Sequence, residues 1–307
     1  MQTTSGSPSG SHSVLLSAGP LLETARPKQW VKNLFVFAAL VFARELVTLG
    51  PCLRAVLAFV LFCLFSSSVY FLNDVVDLER DRSHPNKRNR PLPSGRLSVH
   101  AALLSSAFLV VVASALGLAA FGARFLATAL AYVLINVAYS FRLKSIVLLD
   151  GMAVASGFVL RAYAGAVAIG AVMSDWLYLC ALLISLFLAF CKRRHELALL
   201  CESAGDHRRI LEEYPLAFLD QLIAILTAAT LVSYSLYTLD ARVISSLSRG
   251  WALKLTIPFV IYGLLRYHYL VYKHHEGGNP TDLLLRDRPL MVNFALWVAV
   301  VMVIIYS

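Results

Sequence analysis

Long apolar runs alternate with short polar loops along almost the whole chain. A run of about 18 or more apolar residues with few charges is long enough to cross a bilayer as a helix. Nine such helices are expected, near residues 30–47, 53–76, 99–120, 123–141, 147–170, 175–192, 216–238, 253–272 and 289–307. A segment at 14–24 reads as a stretch lying along the interface before the first of them. No Pro/Gly-rich linker interrupts the series, so residues 14–307 are expected to form a single membrane domain. The fold class is all-α integral membrane, a bundle of nine transmembrane helices. Residues 1–13 are rich in Ser and Gly and are expected to be a disordered tail. They lack the basic and apolar regions of a cleavable signal peptide.

Composition agrees with the pattern. Of 307 residues, 59% are hydrophobic and 15% charged, and the mean hydropathy is +0.71. A soluble domain of this length needs more charge to cover its surface. The lysines and arginines behind the net charge of +9 gather on the N-terminal flank and on the loops after the even-numbered helices. The positive-inside rule makes the N-terminus and those loops cytoplasmic. The bilayer accounts for this charge, and no nucleic-acid partner is expected. Cys52, Cys63, Cys180, Cys191 and Cys201 form no CxxC pair and sit in or beside apolar runs, which reads as packing rather than a disulfide or metal role.

One boundary breaks the pattern. The second helix ends in FLNDVVDLERD, residues 71–81. At about 100° per residue, Asn73, Asp77, Asp81 and Asp74 fall on one side of a helix, and Glu79 points away. Like charges this close repel unless a cation lies among them. Carboxylate and amide oxygens suit a hard ion, and Mg²⁺ usually binds through one or two carboxylates plus substrate phosphates. The plain alternative is an acidic helix end paired with loop arginines. The next loop, RSHPNKRNRPLPSGR, supplies Lys87, Arg88 and Arg90. Arginine forks grip phosphate bidentately and lysine binds it as a point charge. The Pro and Gly of RPLPSG stiffen the loop enough to hold Arg90 over the acids. Alone, such a loop also suits lipid headgroups.

Further chemistry lies in the fifth helix, LLDGMAVASGFVLRAYAG. Asp150 begins it, and Arg161 follows on nearly the same face about 16 Å deeper. A charge at helix centre costs roughly 2.5–3.5 kcal/mol even on a lenient insertion scale. Arg161 therefore faces a cavity or a partner, holding either an anion or an interhelical salt bridge. Lys28, Tyr139, Lys144 and the CKRRHE segment with Lys192 and Arg193 lie on the same expected membrane face.

These residues resemble the UbiA superfamily of membrane-embedded prenyltransferases. NDVVDLERD matches its first aspartate-rich motif, NDxxDxxxD, and RPLPSG the segment after it. The resemblance runs from about residue 26 onward. It implies a nine-helix UbiA-type bundle with a lateral chamber, and Mg²⁺ on Asn73, Asp77 and Asp81 with Asp74 beside them. The second motif of the family, DxxxD, is reduced here to Asp150, with Val154 in the other place. RPKQWVKN, YSFRLKSIVLLD, GFVLRAYAGA and KRRHEL resemble one branch, the decaprenyl-phosphate phosphoribosyltransferases. That branch implies 5-phosphoribosyl 1-diphosphate as donor, decaprenyl or another polyprenyl phosphate as acceptor, and a product used for cell-wall arabinan. It implies phosphate binding by Lys28, Arg161, Lys192 and Arg193, with Lys87, Arg88 and Arg90 over the metal and Tyr139, Lys144 and Asp150 orienting the donor. The location it implies is the bacterial inner membrane, with the site facing the cytoplasm. Transfer of a polyprenyl diphosphate to an aromatic acceptor, as in quinone synthesis, is the alternative within the family. An ion transporter is disfavoured, because transporters place their acids near the midplane on broken helices. Homo-oligomerisation is left open.

Overall fold

The apolar run before the acidic motif has no internal break, and it forms one helix of 28 residues, α3 (Leu49–Val76). A computed structural model describes residues 18–85, 87–202, 213–273 and 280–307. The expected disordered tail, 1–13, lies outside the described residues. α1 (Ala18–Ala25), a 3₁₀ segment (Pro27–Phe37) and α2 (Ala38–Phe42) come before α3. After it come α4 (Leu78–Ser83), α5 (Val99–Phe121), α6 (Ala123–Phe141), α7 (Leu149–Ile169) and α8 (Asp175–Glu202). α9 (Leu216–Leu239), α10 (Ala241–Ser246), α11 (Ile257–Lys273), α12 (Pro280–Arg286) and α13 (Arg288–Tyr306) complete the bundle.

Local signals set several of these ends. The Ser98 hydroxyl accepts from the Ala101 amide and starts α5. Asp287 accepts from the Leu290 amide at the start of α13 and also holds Arg266 at 2.7 Å. α7 stops at Gly170, whose φ of +75° is the left-handed conformation that glycine adopts without penalty.

Among the described residues, seven helices are long and apolar enough to span a membrane: α3, α5, α6, α7, α9, α13 and the part of α8 from Asp175 to Ala198. The chain is a multi-pass membrane protein. The other two of the nine expected spans are broken. The first, expected at 30–47, is the 3₁₀ segment followed by the single turn and a half of α2. At about 2.0 Å per residue in the 3₁₀ part and about 1.5 Å in α2, the two together still reach roughly 30 Å. The eighth, expected at 253–272, divides into a 3₁₀ turn (Gly250–Thr256) and the 17-residue α11. A count of nine uninterrupted helices is therefore not confirmed.

α7 is the element the others gather around. It packs against the 3₁₀ segment, α2, α3, α6 and α8. Its buried positions are mostly small: Gly151, Ala153, Ala155, Gly157, Ala162, Ala164, Gly165, Ala166 and Ala168. Small residues let backbones approach closely where no water is present to drive helices together. α3 and α7 are more than half buried, whereas α5 turns most of its apolar surface outward. One apolar core joins Val36, Phe62, Phe65, Phe125 and Tyr132, and a second joins Phe187, Phe190, Leu219, Ile223, Leu264 and Val271.

The tightest approach is between α7 and the 3₁₀ segment. A Cβ on Gly165 would lie 1.9 Å from the Val36 carbonyl oxygen and 2.8 Å from its carbon. Backbone cannot swing aside as a side-chain tip can. Gly165→Ala is expected to push the 3₁₀ segment off α7 and to cost about 1–3 kcal/mol. A lowered thermal midpoint of the detergent-purified variant checks this; an unchanged midpoint would show that the two backbones are not in contact.

Candidate active site

The acidic cluster is built by continuing α3 past its last turn. The Asp77 amide donates to the Asn73 carbonyl at 2.9 Å, and the Asp81 amide to the Asp77 carbonyl at 2.8 Å. These bonds carry helical spacing from α3 into α4, so Asn73, Asp77 and Asp81 stay on one side. Glu79 points away as the spacing predicts, with its side chain 82% exposed and paired to Arg82 at 2.8 Å. The side chains of Asp74 and Asp81 are only 2% exposed, and that of Asp77 is 20% exposed.

Buried carboxylates need matched charge, and three neighbouring segments supply it. Arg26, at the turn before the 3₁₀ segment, pairs with Asp74 and lies over the Tyr70 ring. Arg90 donates to Asp81 Oδ2 at 2.7 Å and lies 3.6 Å from Asp74 Oδ1. Lys87 lies 3.7 Å from Asp81 Oδ1, and Lys144 reaches Asp77 Oδ1 at 2.5 Å. Asn73 Oδ1 accepts from the Ser140 hydroxyl at 3.1 Å. The RPLPSG loop holds Arg90 in place because Leu92 and Leu97 are buried against Phe71 and Ala102. Arg88 and Lys28 are exposed and make no ion pair among the described residues.

The acids share a side but do not close on one point. Among the described residues no three of His, Cys, Asp and Glu form a metal cage. Each carboxylate turns instead to its own cation. The donor set still fits a hard divalent ion of the kind that keeps few protein ligands and completes its shell with phosphate and water.

Asp150, Arg193 and Tyr139 do come together, one layer away. Asp150 is fully buried and accepts from Arg193 Nε at 2.5 Å and from the Tyr214 hydroxyl at 2.8 Å. Arg193 continues to Glu196 at 2.5 Å and to the Tyr139 hydroxyl at 3.2 Å. Arg193 and Asp150 are thus committed to each other and to the fold. The next residue, Arg194, is held the same way: it bonds Asp220 at 2.6 Å and lies 3.7 Å over the Tyr272 ring. Lys192 is exposed and lies 3.8 Å from Glu196.

Sequence reasoning missed Tyr214, which sits in a loop with no pattern to flag it. Burial pushes its phenol up, so it stays a donor at neutral pH. It also accepts from the Leu148 amide at 2.6 Å. Leu148 has φ of +68°, which is costly for a leucine, so Tyr214 pins the strained turn that starts α7. Tyr214→Phe leaves both the Leu148 amide and Asp150 short of a partner. The expected cost is about 1–3 kcal/mol, read as a fall in the thermal midpoint; Tyr214→Leu, which also loses the buried ring packed on Phe190, is expected to fall further.

Arg161 lies deeper and is 6% exposed. Its Nε donates to Asn33 Oδ1 at 2.7 Å, Nη1 to the Gly157 carbonyl at 2.8 Å and Nη2 to the Tyr132 hydroxyl at 2.8 Å. Its guanidinium is 4.6 Å from the Tyr132 ring centroid. The interhelical salt bridge, one of the two expected readings, is absent among the described residues: Asn33, Gly157 and Tyr132 are all neutral. Asn33 is fixed in turn by Cys63 and Ser66. Asn33 and Tyr132 were also missed, although a polar group inside an apolar run is itself a signal.

The UbiA prenyltransferase family model matches residues 33–281. The chain is 34% identical over 292 residues to the decaprenyl-phosphate phosphoribosyltransferase of Corynebacterium glutamicum, covering 94% of this chain and 87% of that one. It is also 34% identical over 296 residues to the enzyme of the same name from Mycolicibacterium smegmatis, covering 93% and 92%. Among solved structures, a UbiA homologue from Archaeoglobus fulgidus bound to GPP and Mg²⁺ superposes with a TM-score of 0.69 at 21% identity, covering 94% of this chain and all of that one. The acids closing α3, the small-residue α7 and this match over most of the length agree: the chain belongs to the UbiA prenyltransferase family.

Proposed function

We propose that this protein transfers the 5-phosphoribosyl group of 5-phosphoribosyl 1-diphosphate to decaprenyl phosphate or a related polyprenyl phosphate. The observation that carries the reading is the likeness, over more than nine-tenths of the chain, to relatives named for that transfer. The site gives it a physical basis. Both substrates are multiply charged anions, and the acid cluster is ringed by Arg26, Lys87, Arg90 and Lys144, with the carboxylate-free Arg161 further in.

Asn73, Asp77 and Asp81, with Asp74 beside them, are the residues that would hold Mg²⁺, which neutralises the charge of a departing diphosphate. Lys87, Arg90 and Lys144 already stand on those carboxylates and are placed to exchange them for phosphate oxygens. Lys28, Arg88 and Lys192 are exposed near this end of the bundle and belong to the reading as outer phosphate contacts. Arg193, Tyr139 and Asp150 act as one buried brace that fixes where α6, α7 and α8 meet. With Val154 at the other place of the family's second acidic motif, the donor's grip rests on the first motif alone.

In the reaction, a lipid-phosphate oxygen forms a bond to ribose C1 as the bond from C1 to the diphosphate oxygen breaks. Negative charge leaving with the diphosphate favours an oxocarbenium-like sugar, as in other glycosyl transfers. A phosphate monoester is already ionised near neutral pH, so no strong base is needed. The reading places the site on the cytoplasmic face of a bacterial inner membrane and the product on the route to cell-wall arabinan.

The assay is purified protein with Mg²⁺, phosphoribosyl diphosphate and decaprenyl phosphate, with the lipids read by mass spectrometry. A lipid heavier by one phosphoribosyl unit, lost with EDTA, is expected. Turnover of a polyprenyl diphosphate with an aromatic acid instead would move the protein to the other branch of its family. Asp77→Ala and Asp81→Ala are each expected to lower turnover by at least about a hundredfold with a folded protein retained. Near-normal turnover in either would sink the metal assignment.

A further inference from the structure

The 3₁₀ segment sorts its side chains by threes, because residues three apart eclipse. Asn33 and Val36 are buried and Trp30 of the same row is partly so, while Lys28, Val31 and Leu34 are exposed. Gln29, Lys32 and Phe35 form the third row, partly buried. In an α-helix Lys28 and Lys32 would share a face; here they are about a third of a turn apart, and only Lys32 is turned inward.

What surrounds the Lys32 ammonium is unusual. Among the described residues it has no carboxylate and no hydrogen-bond partner, and the charges acting on it are those of Lys192, Arg161 and Arg26. All three are cations. Arg26 is neutralised by Asp74, and Lys192 is loosely met by Glu196. Lys32 and Arg161 are not neutralised by any described residue. Two such charges enclosed by membrane helices are costly. A phosphate monoester, with a charge of about −1.5 to −2 near neutral pH, would match both.

We propose that Lys32, with Arg161 beneath it and Lys192 at its side, seats the phosphate of the acceptor lipid, separately from the acid cluster that takes the donor's diphosphate. Three observations favour the lipid's phosphate over a donor phosphate. Depth is the first. Ser66, which holds Asn33 beside Arg161, precedes Asp74 by eight residues of α3, or about 12 Å, so Arg161 is anchored well inside the acid cluster. Lining is the second. Phe158 lies 5.3 Å from the Arg161 guanidinium and 4.9 Å from Phe35, an apolar wall suited to the first prenyl units. Position is the third. Lys32 lies on the chain between Arg26, which pairs with Asp74, and Asn33, which accepts from Arg161 at 2.7 Å, so the segment that carries it links the acids to the deep arginine.

This assignment rests on the phosphoribosyl-transfer reading for the identity of the two anions, and binding separates the two claims. Wild type, Lys32→Met, Lys32→Gln and Lys32→Arg in lipid nanodiscs are titrated with decaprenyl phosphate, with decaprenol, and with phosphoribosyl diphosphate plus Mg²⁺. Wild type is expected to prefer the phosphorylated lipid to the alcohol. Both neutral variants are expected to lose about tenfold or more of that preference, the loss of one charge-assisted contact. Lys32→Arg is expected to keep most of it, and donor affinity to change less than about twofold throughout. The glutamine variant keeps a polar head and carries the test if the methionine variant does not fold. An intact preference in the neutral variants, no preference in wild type, or a donor affinity that falls in place of lipid affinity would each overturn the assignment. Lys32-dependent lipid binding without any phosphoribosyl transfer would leave the seat standing and remove the reading of the reaction.

Discussion

Charge cannot stand alone where water is scarce, and the arrangement of this bundle follows from that constraint. Three aspartates and an asparagine close α3 at a level where two of the acids are almost wholly enclosed. They are tolerable because Arg26, Lys87, Arg90 and Lys144 arrive from three different parts of the chain. Each of those cations is delivered by an irregular element: the turn before the 3₁₀ segment, the RPLPSG loop and the short turn at Leu143–Ser145. Apolar packing decides where the helices stand. Ion pairing decides how the loops close over them. On the proposed reading, a substrate phosphate entering here would meet cations already gathered and oriented, the arrangement that lowers the reorganisation a reaction needs.

α7 ties this end of the molecule to its other half. Its small buried residues bring the 3₁₀ segment, α3 and α6 close on one side and Phe190 of α8 on the other. Asp150, at its first turn, joins Arg193 of α8 to Tyr214 of the following loop. The acid left over from the family's second motif has thus become part of the frame. Arg193 and the Tyr214 hydroxyl make a single, fully buried carboxylate tolerable there.

Much of this was legible in the sequence, and the limits have physical causes. Helices α5, α6, α7, α9 and α13 stand within a few residues of the apolar runs that announced them, because nothing in a bilayer competes with a long apolar helix. The shared side of Asn73, Asp77 and Asp81 followed from helical spacing, and that spacing survives the junction at Asp77. The first span was misjudged because hydropathy measures how apolar a segment is and says nothing of how tightly it winds. Lys28 was singled out as part of RPKQWVKN, whereas Lys32 of the same stretch was passed over. Arg26 was read only as part of a basic flank, since a contact between residues 26 and 74 leaves no local trace. Tyr214 was invisible for the same reason. Arg161, conversely, stood out from the sequence because a charge in mid-helix is expensive, and its partners among the described residues are neutral.

The 3₁₀ segment has one more consequence, and it concerns length. Its eleven residues advance about 2.0 Å each and turn about 120° each. Removing one would draw Arg26 some 2 Å away from Asp74 or pull Val36 off Gly165. It would also carry every side chain on one flank into the next row, bringing Lys32 or Leu34 to the place of the buried Asn33. Substitutions on the outward row disturb neither relation. Composition can therefore change along Val31 and Leu34 without disturbing the fit, while an insertion or deletion within the stretch cannot.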